Sequence, residues 1–155
     1  MVKYIFGIFA LIVSAAPSSF ADGSCVQFSG SYTVSSAGCY EAHDGGTYSD
    51  SVYNGMVISA DASNNLSMHY KTDGESGFTV NYIADGQQHN GDINNSGKTY
   101  TATCDANQIS STRVGMFIAP FVMTFVKNSD GTYTLTETIT GDRPFTRSCS
   151  MVRGQ

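Results

Sequence analysis

The chain has 155 residues, of which 14% are charged, with 13 acids against 8 bases and a net charge of −5. That balance excludes the basic footprint that nucleic-acid binding requires. Sixteen glycines and nine each of tyrosine and phenylalanine, with few charges and many Thr, Ser and Val, favour strands over helices.

The amino terminus reads as a secretory signal peptide. Lys3 precedes an apolar run from Tyr4 to Val13, and Ser19-Phe20-Ala21 is a small-x-small cleavage pattern. The run is shorter than the ~20 apolar residues of a membrane span. Residues 1–21 are expected to be removed, leaving 22–155 as a single β-barrel domain, exported to the periplasm or beyond the cell. The removed segment holds one of the eight bases and no acid, so the charge moves from −5 to −6. Asp22 stands where a lipid-anchored Cys25 would need Leu.

The four cysteines are Cys25, Cys39, Cys104 and Cys149. An even count in an exported chain implies two disulfides, with three pairings open. Cys104 shares parity with Tyr100 and Ala102, and Cys149 with Phe145 and Met151. Cys104–Cys149 with Cys25–Cys39 is therefore the expected pairing. Zinc is the rival use of cysteine, but no C-x-x-C or H-x-x-x-H spacing occurs. No metal and no cofactor are expected.

In chain order, Cys25–Val34 alternates as a first strand, with Gly30 marking a bend or the close approach of a bulky neighbour. Ser35–Gly38 reads as a turn and Tyr40–Ser49 as a Gly-rich loop. Strands follow at Ser51–Ala60, Leu66–Lys71 and Phe78–Ala84, separated by turns at 61–65 and 72–77. Asp85–Gly97 is polar, with room for a short strand near Ile93. Strands are expected at Lys98–Cys104 and Ile109–Val114. Met116–Val126 is apolar on both faces and is expected to be the most buried segment, with Pro120 at an edge or bulge. Lys127–Gly131 separates the two arms of a hairpin. Its second arm places Tyr133, Leu135, Glu137 and Ile139 on one face and Thr134, Thr136, Thr138 and Thr140 on the other. Phe145–Val152 closes the chain. The pattern predicts an all-β, antiparallel up-and-down meander of about eight strands closed into a small barrel, or else a β-sandwich.

Phe28-x-Gly30-x-Tyr32 resembles the opening strand of lipocalins and related calycin barrels, where Gly-x-Trp stands. In that family an Arg of the last strand packs across the aromatic ring, which the resemblance assigns to Arg147. Tyr82–His89 followed by Tyr100–Cys104 is also similar to strand-turn-strand pieces of bacterial lipocalin-like domains. Tyr32 replaces the family's Trp, and no helix follows the barrel.

Glu137 and Arg147 fall in phase with apolar neighbours. Enclosed charges must pair with one another, with tyrosine hydroxyls or with a ligand. The functional reading is a polar anchor for a small apolar or amphipathic ligand in a pocket lined by Phe78, Tyr82, Tyr100, Phe125, Tyr133, Leu135, Glu137 and Arg147. The plainer reading is a structural ion pair. His43 stands beside Glu41 and Asp44, but the three histidines are scattered, no nucleophile motif occurs, and no enzyme is expected. The second function considered is a filled barrel acting on a protein partner through loops 40–49 and 85–97, as an inhibitor, adhesion module or envelope component. An outer-membrane barrel is disfavoured because the outward faces read Thr, Ser and Asn. Asn65-Leu66-Ser67 and Asn94-Asn95-Ser96 match the N-glycosylation pattern.

Overall fold

The computed structural model describes residues 24–43, 46–48, 53–72, 75–91, 98–115, 119–141 and 144–155. The signal-peptide segment, Ile93, Asn94 and Met116–Ile118 lie outside these residues. A 3-10 turn, η1 (Cys25–Phe28), leads into β1 (Gly30–His43), β2 (Gly46–Tyr48), β3 (Tyr53–Ala60), β4 (Asn65–Thr72) and β5 (Glu75–Ile83). There follow β6 (Asp85–Asn90), β7 (Thr99–Cys104), β8 (Gln108–Val114), β9 (Phe121–Lys127), β10 (Tyr133–Ile139) and β11 (Phe145–Arg153).

All pairings are antiparallel and form one sheet in the order β5-β4-β3-β1-β11-β10-β9-β8-β7-β6, with β2 paired to β1 off this path. Ten strands thus curl into a nearly closed barrel, where the periodicity predicts about eight. The difference comes from polar stretches that carry no apolar alternation. Tyr40–His43 extends β1, Gly46–Tyr48 forms β2, and Asp85–Asn90 forms β6, although all three fall in segments read as loops. Backbone pairing does not require apolar side chains, so such strands leave no period-two signal.

The first strand is also shifted. Cys25–Phe28 turns as a 3-10 segment, and β1 begins at Gly30. The expected turn at 35–38 is a bulge inside β1. Val34 pairs with Met151 and Cys39 with Cys149, so five steps on β1 match two on β11. Before the bulge β1 lies between β11 and β3; after it, between β11 and β2.

The hairpin of β9 and β10 has the expected register and phase. Tyr133, Leu135 and Glu137 are buried, while Thr134, Thr136 and Thr138 are only partly covered. Phe121, Met123 and Phe125 are buried on β9, but Val122 is exposed, so this segment has one buried face and not the two expected.

One end of the barrel is apolar and closed. Phe28 of η1, Tyr32, Phe125 and Tyr133 interlock there. Tyr32 meets Phe125 and Tyr133 edge-on, both at 4.9 Å, and Phe125 stacks on Tyr133 at 5.3 Å. The Tyr32 hydroxyl donates to the Phe28 carbonyl at 2.6 Å, and burial pushes its pKa up to about 12. The disulfides are Cys25–Cys104 and Cys39–Cys149, which corrects the expected pairing. Parity rightly gives Cys104 and Cys149 the same side of the sheet, but β8, β9 and β10 lie between their strands. Cys149 instead faces Cys39 directly across β1 and β11, and Cys104 pins η1 over the closed end.

The meander is interrupted between β5 and β6. Only Ala84 separates them, too short for a hairpin loop, so the chain bends there and exchanges partner β4 for partner β7. Beyond the bend β5 and β7 approach without pairing as strands. The Ile83 N–H donates to the Tyr100 hydroxyl at 3.0 Å, and the Tyr82 and Tyr100 rings meet edge-on at 5.2 Å. This is the seam of the barrel.

Candidate functional site

At the end away from η1 the interior becomes polar. Glu137, on β10, is 2% exposed. Arg147 faces it from β11, with Nη1 donating to Glu137 Oε2 at 3.2 Å. Glu41, across β1 and β11, takes the Nε and Nη2 side of the same guanidinium. His43 Nε2 reaches the other Glu41 oxygen at 3.1 Å. Two carboxylates therefore share one arginine.

Tyr53 supplies the third side of this cluster. On β3 it pairs with Thr72, while Gly55 pairs with Lys71, so two steps on β3 match one on β4. This bulge at Asn54 turns Tyr53 to the same interior as Met56 and Ile58. Its hydroxyl donates to Glu137 Oε2 at 3.2 Å, and its ring lies under the Arg147 guanidinium at 4.6 Å.

The two carboxyls titrate in opposite directions. Burial raises the pKa of Glu137, and Arg147 and Tyr53 offset only part of that. Burial also raises Glu41, but its hydrogen bonds to His43 and Arg147 outweigh that and hold its pKa low. Desolvation lowers the pKa of Arg147, yet Tyr53 and the two glutamates raise it further. Glu41 is thus the ionised partner of Arg147, and Glu137 is the carboxyl more readily protonated.

Around Glu137 stand several hydroxyls. Tyr70 on β4 is 0% exposed, and burial, then Glu137, raises its pKa well above the ordinary value. Tyr82 on β5 is 3% exposed; burial raises its pKa, and Arg113 on β8 partly counters this. The hydroxyls of Tyr70, Tyr82, Thr72 and Ser111 are all buried without a hydrogen-bond partner. Ser111 lies near enough to Tyr82 to lower its pKa, but not in hydrogen-bond geometry. Each of these groups forgoes the hydrogen bonds water would give it, and Tyr70 and Tyr82 both lie within the electrostatic reach of Glu137.

Of these groups, Tyr82 also lies on the wall of the seam. A cleft of about 240 Å³ is lined by Phe78, Val80 and Tyr82 of β5, by Lys98 and Tyr100 at β7, and by Arg113 of β8. Arg113 stacks on Phe121 at 4.5 Å and reaches over Tyr82 at 5.9 Å. A larger depression of about 400 Å³ lies around Ser67, Asn81, Ile83 and Asn90 and shares Asn81, Tyr82 and Tyr100 with the smaller cleft. It opens onto exposed side chains, and only the smaller cleft also touches Arg113.

The sequence-predicted lining residues divide three ways. Phe125, Tyr133 and Leu135 are packed in the interior, the first two in the aromatic cluster of the closed end. Glu137 and Arg147 form the buried pair. Phe78, Tyr82 and Tyr100 line the seam; Phe78 is 44% exposed and stacks on Tyr70 at 4.7 Å. Glu41, Tyr53, Tyr70 and Arg113 were not anticipated at the site. Tyr70 carried a visible signal, its phase with Leu66 and Met68. Tyr53 carried none, because a bulge reverses its phase, and Glu41 fell in a segment read as loop.

The arginine across the first-strand aromatic is Arg153, not Arg147. Its guanidinium lies 5.9 Å over Tyr32 and donates to the carbonyls of Gln27 and Ser29. A Cβ at Gly30 would lie 2.8 Å from Arg153 Nε, which is the bulky neighbour that residue implied. Among the described residues no group of three His, Cys, Asp or Glu side chains is placed to hold a metal ion, and no helix is long and apolar enough to cross a membrane. His69 bonds Thr79 Oγ1 at 2.9 Å, and His89 bonds Asp85 Oδ1 at 2.9 Å. A scan of protein-family models finds no match to this chain, and a search of curated proteins finds none.

Proposed function

We propose that the chain is an exported, lipocalin-like barrel that binds a small amphipathic molecule at its polar end, entered through the seam, and that it is not an enzyme. One observation carries this reading: the hydroxyls of Tyr70 and Tyr82, both close enough to Glu137 to feel its charge, are buried without hydrogen-bond partners. A ligand bearing polar atoms would satisfy groups that folding alone leaves unmet. The lipocalin likeness draws on Gly30, Tyr32 and the arginine of the last strand, now Arg153. The two disulfides are compatible with export. Because the closed end is filled with aromatic side chains, the ligand is expected at the seam and polar end.

The test is native mass spectrometry and thermal shift of the oxidised protein against a panel of small amphipaths. The expected result is a stoichiometric adduct that raises the melting temperature. Failure of every class would overturn the reading. The alternative, a filled barrel acting on a protein partner, draws on the same aromatic packing and on the strands within segments 40–49 and 85–97. It predicts partner capture that is lost when those segments are replaced, with no small-molecule adduct.

A further inference from the structure

Taking the barrel to be a ligand carrier as argued above, we propose that the bound amphipath has an uncharged, hydroxyl-rich head group, an alkyl glycoside in chemical class, with its tail in the 240 Å³ cleft and its head in the 400 Å³ depression. The two cavities adjoin. Asn81, Tyr82 and Tyr100 line both, so one molecule can occupy the two together. Their walls differ in chemistry. Phe78, Val80 and the rings of Tyr82 and Tyr100 give the smaller one an apolar wall. Asn65, Ser67, Asn81 and Asn90 surround the larger one with amides and a hydroxyl.

An amide offers an acceptor oxygen and two donor hydrogens, and a sugar hydroxyl both donates and accepts. The two groups therefore satisfy each other in both directions. A carboxylate only accepts and an ammonium only donates, so either would engage one half of each amide. Asn81 and Asn90 are exposed, which leaves their amides open to a ligand. Asn65 Nδ2 donates to Asp61 Oδ2 at 2.7 Å, and its side-chain carbonyl remains an acceptor. The Tyr100 hydroxyl accepts from the Ile83 N–H and keeps its own proton to donate. The cations of the smaller cleft are already engaged, Arg113 by the Phe121 ring and the charge of Glu137, and Lys98 by a partner of its own. Tyr82, common to both walls, carries a buried hydroxyl without a hydrogen-bond partner. The oxygen that links head to tail in an alkyl glycoside is an acceptor, and a molecule spanning both cavities brings it to that junction.

Octyl glucoside, octanol, octanoate and octylamine carry the same chain on different heads. Each is titrated calorimetrically into the oxidised protein at neutral pH, below the concentration at which micelles form. Octyl glucoside should bind roughly tenfold or more tightly than octanol, the gain of one or two net hydrogen bonds, and more tightly than either charged amphipath. Asn81→Ala and Asn90→Ala fall at exposed positions and should keep the melting temperature. Combined, they should remove the margin of the glucoside and leave octanol binding unchanged. Equal binding of octyl glucoside and octanol, a margin that survives the double variant, or tighter binding by octanoate or octylamine would overturn the head-group assignment while leaving ligand binding intact. No binding by any of these amphipaths would overturn both.

Discussion

Tyr53 and Glu137 meet in the barrel interior across 84 positions of sequence, the phenol donating to the carboxyl at 3.2 Å. The contact exists because a bulge on β3 turns the tyrosine inward. It places a second donor, beside the Arg147 nitrogen, on the Glu137 carboxyl. Burial and the Glu137 charge together raise the Tyr53 pKa, so the phenol stays protonated and remains a donor throughout the physiological range. Tyr53→Phe should cost about 1–3 kcal/mol in urea unfolding, the range expected when a buried charged acceptor loses a donor.

The two glutamates should impose opposite pH dependences on stability. The folded-state pKa of Glu41 lies below the ordinary 4.5, so its contribution is present above that value and is lost as pH falls through its depressed pKa. That of Glu137 lies above 4.5, so the folded state holds its proton more tightly than the unfolded chain, and stability falls as pH rises from 4.5 through the raised pKa. Glu41→Gln should flatten the acid limb of a stability–pH profile, and Glu137→Gln the fall on the other side. Identical profiles for the two variants would contradict the assignment.

Arg147 serves both carboxyls, so its removal should exceed either single loss. Arg147→Met should cost about 3–5 kcal/mol, because two carboxyls lose their cation in a covered site. The Glu41→Gln/Arg147→Met double variant should recover part of that loss. A double-mutant cycle by chemical denaturation checks it.

Removing an unpartnered hydroxyl should have the reverse sign. Tyr82→Phe and Tyr70→Phe are expected to leave the free protein as stable as before or up to about 2 kcal/mol more stable, because each deletes a buried polar group without a partner. A large loss of stability in either variant would mean that the hydroxyl is already satisfied.

Peptide mapping under non-reducing conditions should recover Cys25 linked to Cys104 and Cys39 linked to Cys149. The bridges join residues 79 and 110 positions apart. Loop-closure entropy for such spans is about 4–5 kcal/mol each, so reduction should lower the melting temperature sharply.

Alternation of apolar and hydroxyl residues by itself determined the all-β class, the hairpin of β9 and β10, and the burial of Leu66, Met68, Tyr70, Tyr133, Leu135 and Glu137. A strand has a side-chain period of two, so one covered face writes itself into the composition of its segment. Tertiary structure alone decided what depends on departures from that period. The bulge at Asn54 delivers Tyr53 to Glu137, and the bulge at residues 35–38 carries Glu41 to Arg147. The bend at Ala84 opens the seam, and strand order gives each cysteine its partner. Phase tells which face of a strand a residue occupies. It does not tell which strand lies opposite, because neighbours around a barrel are set by closure of the whole sheet.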